Sequence, residues 1–135
     1  MLRIAELGVA TLTRPRGYEA YERLSTFLAR TSALELSLDG VTMISMSFMD
    51  GIVEKLIAAH ELDRITFVTA EPKTRDKLAR IAGLHAGASI FIREPDSATR
   101  RAVEPIYPDR PDSSLETTKG SDPDPTVGFS ARGTR

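Results

Sequence analysis

The chain has 135 residues, with 18 lysines and arginines against 19 acidic residues and a net charge of −1. That balance excludes the global field that draws a protein to nucleic acid or to an anionic membrane. The absence of cysteine excludes disulfides and thiolate metal ligands and fits a reducing compartment. No apolar run approaches the length that spans a bilayer. Met1–Glu6 alternate apolar with charged residues and lack a signal peptide's apolar stretch, so a cytoplasmic location is expected.

In chain order, two short apolar runs, Leu2–Ile4 and Val9–Leu12, flank Gly8 and predict an antiparallel pair of strands. Arg14-Pro15-Arg16-Gly17 punctuates the chain. From Tyr18 to Arg30, Ala20, Leu24, Phe27 and Leu28 recur at helical spacing and give one apolar face. Leu34, Leu36 and Leu38 then alternate with polar residues, the pattern of a strand with one strongly buried face. Gly40 breaks that pattern. Val41, Met43 and Ile44 restore the apolar signal before a helix that begins near Ser47 and runs from about Phe48 to His60. Its buried stripe is Phe48, Ile52, Val53, Leu56, Ile57 and Ala59.

Ile65-Thr66-Phe67-Val68 is short and β-branched, suited to a central parallel strand. Glu71-Pro72 opens a third helix, since proline is tolerated in the first turn. Thr74, Leu78, Ile81 and Ala82 line its inner face, with Gly83 as its C-cap. Ser89–Ile92 is the last strand. The expected order is β-β-α-β-α-β-α-β, an α/β fold whose mixed sheet has parallel strands linked by right-handed crossovers.

Composition changes near Glu94. Pro95, Pro105, Pro108, Pro111, Pro123 and Pro125 lie beyond it among Ser, Thr, Asp and Gly. Such a segment holds too little apolar surface to offset chain entropy. One domain is therefore expected over 1–93, with a disordered tail over 94–135. Within the tail, Ser97–Glu104 could form a short helix that Pro105 stops, and Ile106-Tyr107 is a compact apolar pair.

Leu36-Ser37-Leu38-Asp39-Gly40-Val41 reads as an apolar strand with a small-residue turn, and Ser47-Phe48-Met49-Asp50 as a Ser-Phe-x-Asp helix opening. Thr69-Ala70-Glu71-Pro72 and Ile81-Ala82-Gly83-Leu84 bound the third helix, and Leu12–Gly17 links into the first. These local signatures, with the order of elements, resemble the STAS domains, the fold of the bacterial anti-sigma factor antagonists, and in particular their STAS-like branch. The resemblance implies a non-catalytic, anti-sigma-factor-antagonist-like signalling module whose partner is an ATPase or kinase-type regulator. It also implies a contact through the loop and N-terminus of the second helix. The antagonists' phosphoacceptor position is Met46 here, and their strand acid is Ser37. A small-ligand or nucleotide-binding sensor is the alternative the resemblance allows, and a structural domain of a larger complex is a third reading.

The candidate contact residues are Ser45, Met46, Ser47, Phe48 and Asp50. Ser47 with Asp50 forms an [ST]-x-x-[DE] capping box, and Ser47 is also the candidate phosphosite. Core packing accounts for Met43 and Met49; an exposed Met46-Phe48 edge, the rival to burial of Phe48 in the helix stripe, would make an adaptable contact surface. His60 falls near a helix end, where a protonated imidazole suits the dipole, and His85 in a loop. Neither has ligand-spaced partners, so no metal or cofactor is expected. Arg14, Arg16 and Arg30 read as surface charges, with an anion pocket from Arg14 and Arg16 the weaker option. No phosphate-binding glycine loop or nucleophile–base motif occurs, and no enzymatic activity is expected.

Overall fold

The computed structural model describes residues 1–108. Five strands and three helices alternate in the order β1 (Leu2–Arg3), α1 (Arg14–Leu28), β2 (Leu34–Ser37), α2 (Met46–Ala58), β3 (Ile65–Val68), α3 (Pro72–Leu84), β4 (Phe91–Arg93) and β5 (Arg101–Ala102). The sheet runs β1-β2-β3-β4-β5, its first four strands parallel and β5 antiparallel to β4. The α/β class, the mixed sheet and the three helices agree with the sequence pattern.

Each parallel connection advances one strand in the same direction, and right-handed crossovers then place all three helices on one face. Register puts Leu2, Leu36, Phe67 and Ile92 side by side. These residues form the core with Leu24 and Leu28 of α1, Ile52, Val53 and Leu56 of α2, and Leu78 and Ile81 of α3. The opposite face carries Glu35, Thr66, Phe91 and Arg93, which period-two alternation turns away from the helices.

Helices α1 and α2 approach at two glycines. A Cβ on Gly17 would lie 2.2 Å from the Phe48 carbonyl oxygen, and one on Gly51 would lie 2.6 Å from that of Arg14. Only backbone fits between them.

The beginning and end of the described chain differ from expectation. Leu2 and Arg3 pair in parallel with β2, and Val9–Leu12 forms no strand. A 3-10 turn at Ile4–Leu7 closes on Gly8 at φ 68°, in the left-handed region, so no hairpin forms. Thr11 braces another loop instead: its carbonyl accepts the Ser45 N–H at 3.0 Å, and its hydroxyl donates to the Met43 carbonyl.

The expected helix near 97–104 is not formed, and the packed structure continues past the expected boundary at 93. Arg101 and Ala102 pair with β4. The Val103 N–H donates to the Ile90 carbonyl at 2.8 Å and the Ile106 N–H to Ala79 at 2.9 Å. Donors used across the sheet cannot serve a helical ladder, and burial of Val103 and Ile106 against α3 favours the extended path. Gly83 lies inside α3, with His85 at the cap. A Cβ on Gly83 would fall 2.0 Å from the Ile106 carbonyl oxygen, so this glycine admits the returning chain. The remainder of the expected tail lies outside the described residues.

Candidate functional site

In open α/β sheets, loops at the carboxyl ends of parallel strands form the natural site. Here that edge joins the β2–α2 loop, the N-termini of α2 and α3, and the Thr11–Thr13 segment. Ser45 is the N-cap of α2, with φ −89° and ψ 157°. Its Oγ accepts the Phe48 N–H at 3.0 Å. The cap is therefore Ser45, two residues before the expected Ser47. Ser47 sits exposed in the first turn, with its hydroxyl outside the cap.

No Met46-Phe48 edge is exposed: Phe48 is fully buried, as the apolar stripe of α2 predicts, and Met46 is half-buried against the core, while Met43 is 63% exposed rather than in the core. Phe48 and Met49 lie on the buried face of α2, whereas Met43 stands in the loop before the helix, outside that face. Leu12 is 52% exposed, and the two Thr11 bonds hold its segment beside the loop that carries Met43.

Asp50 is a buried ion-pair centre, not a capping-box partner. Its Oδ2 accepts Arg14 Nη1 at 2.7 Å, and its Oδ1 meets His85 Nε2 at 2.6 Å. Arg14 also meets Glu54 Oε2 at 3.0 Å, and the Tyr18 hydroxyl donates to Glu54 Oε1 at 2.7 Å. The hydrogen bond to Asp50 holds the Arg14 guanidinium above its ordinary pKa against the opposing effect of burial. The Glu54 hydrogen bond likewise raises the Tyr18 phenol. Arg14 is thus committed to carboxylates, and Arg16 pairs separately with Glu19 at 2.6 Å, so the two build no anion pocket. Arg30 is exposed, as a surface charge should be. His60 takes a left-handed φ of 57° just past α2.

Beside the α2 cap lies a cleft of about 450 Å³, lined by Leu38–Ile44, Glu71, Lys73, Thr74 and Lys77. Asp39 shapes its wall: one carboxylate oxygen accepts the Thr69 hydroxyl at 2.6 Å and the other the Ala70 N–H at 2.8 Å. Lys77 Nζ donates to the Ile44 carbonyl at 2.8 Å and ties α3 to the loop. Among the described residues, no group of three or more His, Asp or Glu side chains could hold a metal ion.

The structure brings Ser45, Met46 and Ser47 together with Met43 and Leu12 at this edge, while Phe48 and Asp50 turn inward. Sequence reasoning missed His85 as the partner of Asp50, and missed Asp39, Lys73, Thr74 and Lys77 as cleft residues. One signal was available: Asp50 lies within the apolar stripe of α2, where a carboxylate requires donors. Comparison with protein-family models, with curated proteins and with solved structures gives no significant match.

Proposed function

We propose that this chain is a non-catalytic regulatory protein-interaction module, anti-sigma-factor-antagonist-like, that engages its partner through the rim of the β2–α2 loop. The observation that carries this reading is the pair of exposed apolar side chains, Leu12 and Met43, at 52% and 63%. They stand on two loops bonded to each other through Thr11. An unbranched thioether beside a leucine makes an adaptable contact surface, and backbone bonding lowers the entropy lost when it is covered. Ser47, exposed in the first turn of α2, is the regulatory position of the same rim. A phosphoryl group there brings about −1.5 to −2 charges, favoured by the helix dipole and repelled by an acidic or apolar partner surface. The partner class is an ATPase or kinase-type anti-sigma regulator.

The test is capture of partners by the full chain from an extract of its own source cells, alongside a Leu12→Asp/Met43→Asp variant and Ser47→Asp. A kinase-type or ATPase protein is expected with the unaltered chain and lost with both variants, whose melting temperatures stay close to its own. Recovery of no such protein, or equal recovery by the folded double variant, overturns the reading.

A further inference from the structure

Beyond partner binding, and independently of it, we propose that the cleft between the β2–α2 loop and α3 binds a small phosphorylated polyol, its phosphate held by Lys73, Lys77 and Thr74. The first observation is a hydroxyl without a partner. Thr74 lines the cleft at 6% exposure, and its side chain makes no hydrogen bond among the described residues. Buried polar groups are nearly always satisfied, and the exceptions call for a bound water, ion or ligand.

The second observation is the charge around that hydroxyl. Lys73 and Lys77 are four residues apart on α3, hence on one helix face, and both line the cleft. Neither meets a carboxylate within salt-bridge distance among the described residues. Lys77 spends one proton on the Ile44 carbonyl and keeps two. The backbone amides of Lys73 and Thr74 belong to the first turn of α3, where N–H groups lack intrahelical acceptors and the dipole favours an anion. Ammonium groups, a hydroxyl and amides that converge on one volume are the donors a phosphate monoester requires.

The same wall favours an ester that carries hydroxyl groups over a bare anion. Asp39 and Glu71 also line the cleft and repel any phosphate alike, so the preference rests on those hydroxyl groups. Carboxylates accept hydrogen bonds only, so they suit ligand hydroxyl groups beside the phosphate. The volume of about 450 Å³ lies within the usual range of small-molecule sites.

The test is an amide NMR titration of the full chain with ribose 5-phosphate, ribose and inorganic phosphate, used as probes of the chemistry. Ribose 5-phosphate should give saturable shifts confined to residues 38–44 and 70–77, with a dissociation constant of about 1 mM or tighter. Inorganic phosphate should bind about tenfold more weakly, and ribose should give no saturable shift. Thr74→Val keeps the side-chain shape, and should weaken binding about fivefold while the melting temperature does not fall. Lys73→Met/Lys77→Met should abolish binding, and Lys73→Met alone decides if the double variant does not fold. Three outcomes overturn the proposal: no saturable shift at about 10 mM ribose 5-phosphate, unchanged affinity in a folded lysine variant, or inorganic phosphate binding as tightly as the ester.

Discussion

A carboxylate within the apolar stripe of an amphipathic helix must be met by cations or donors, and at Asp50 both oxygens are met. Arg14 approaches from the start of α1 and His85 from beyond α3, so one buried charge ties all three helices. The contributions of its partners are unequal. Arg14 is permanently charged and half-exposed, so it can return to water when Asp50 is removed. Asp50, buried, cannot. Arg14→Met is therefore expected to lower unfolding free energy by about 3 kcal/mol, the lower end for breaking a buried pair, because His85 still meets the other oxygen. Asp50→Asn keeps a polar side chain and leaves no buried charge, and should lose about 1 kcal/mol. Urea unfolding of both variants measures the difference; a loss from Asp50→Asn as large as that from Arg14→Met would remove the buried-charge argument. The Asp50–His85 pair could not be read from the chain, because the partners are 35 residues apart and His85 falls in a loop without periodicity. Half of the signal was present, a charged residue where the helical phase wanted an apolar one.

At the scale of elements, the α1–α2 crossing depends on having no side chain at its centre. A methyl at Gly51 would meet the Arg14 carbonyl oxygen at 2.6 Å, backbone against backbone, and no rotamer change relieves it. Gly51→Ala should force the helices apart and lower stability by about 1–3 kcal/mol, although alanine is the better helix former. An unchanged or raised melting temperature for Gly51→Ala would show that the helices can separate freely. Long periodic elements were legible in the sequence for the same physical reason that they form. Leu24 and Leu28 on α1, and Ile52, Val53 and Leu56 on α2, repeat at 3.6 because that period makes one buried face, and Ile65–Val68 is apolar but for Thr66 because it lies mid-sheet, buried on both sides. What failed was short. β1 and β5 have two residues each, too few to display any period, and their pairing is set by distant segments. The α2 start was misplaced by two residues because Ser45 and Ser47 offer the same chemistry. Only the backbone angles of Ser45 decide which one caps.

For the whole molecule, helices stacked on one face leave the other face of the sheet to be covered by something else. The segment after β4 does this, held mainly by arginine. Arg93 meets Glu35 through two parallel bonds, at 2.7 and 2.8 Å, and donates to the carbonyls of Glu94 and Ser97. Arg100 lies over the Phe91 ring, 3.7 Å from its centroid, and donates to the Thr66 hydroxyl at 2.7 Å. The paired bonds to Arg93 hold the Glu35 carboxyl below its ordinary value of 4.5, against the opposing effect of burial. A depressed folded pKa means that the pair's contribution is fully present above 4.5 and is lost as pH falls through the folded value. Glu35 is 42% exposed, so solvent screening limits that contribution to about 1 kcal/mol or less. Glu35→Gln should therefore be less stable than the unaltered chain near neutral pH, and the two should converge at a pH below the folded pKa of Glu35. Glu94, held low by its hydrogen bond from Arg101, acts in the same direction and remains in both proteins, so the comparison isolates Glu35. Denaturant midpoints measured across the acid range decide it. A constant difference between the two proteins down to the lowest pH would mean that this ion pair does not hold the covering segment to the sheet.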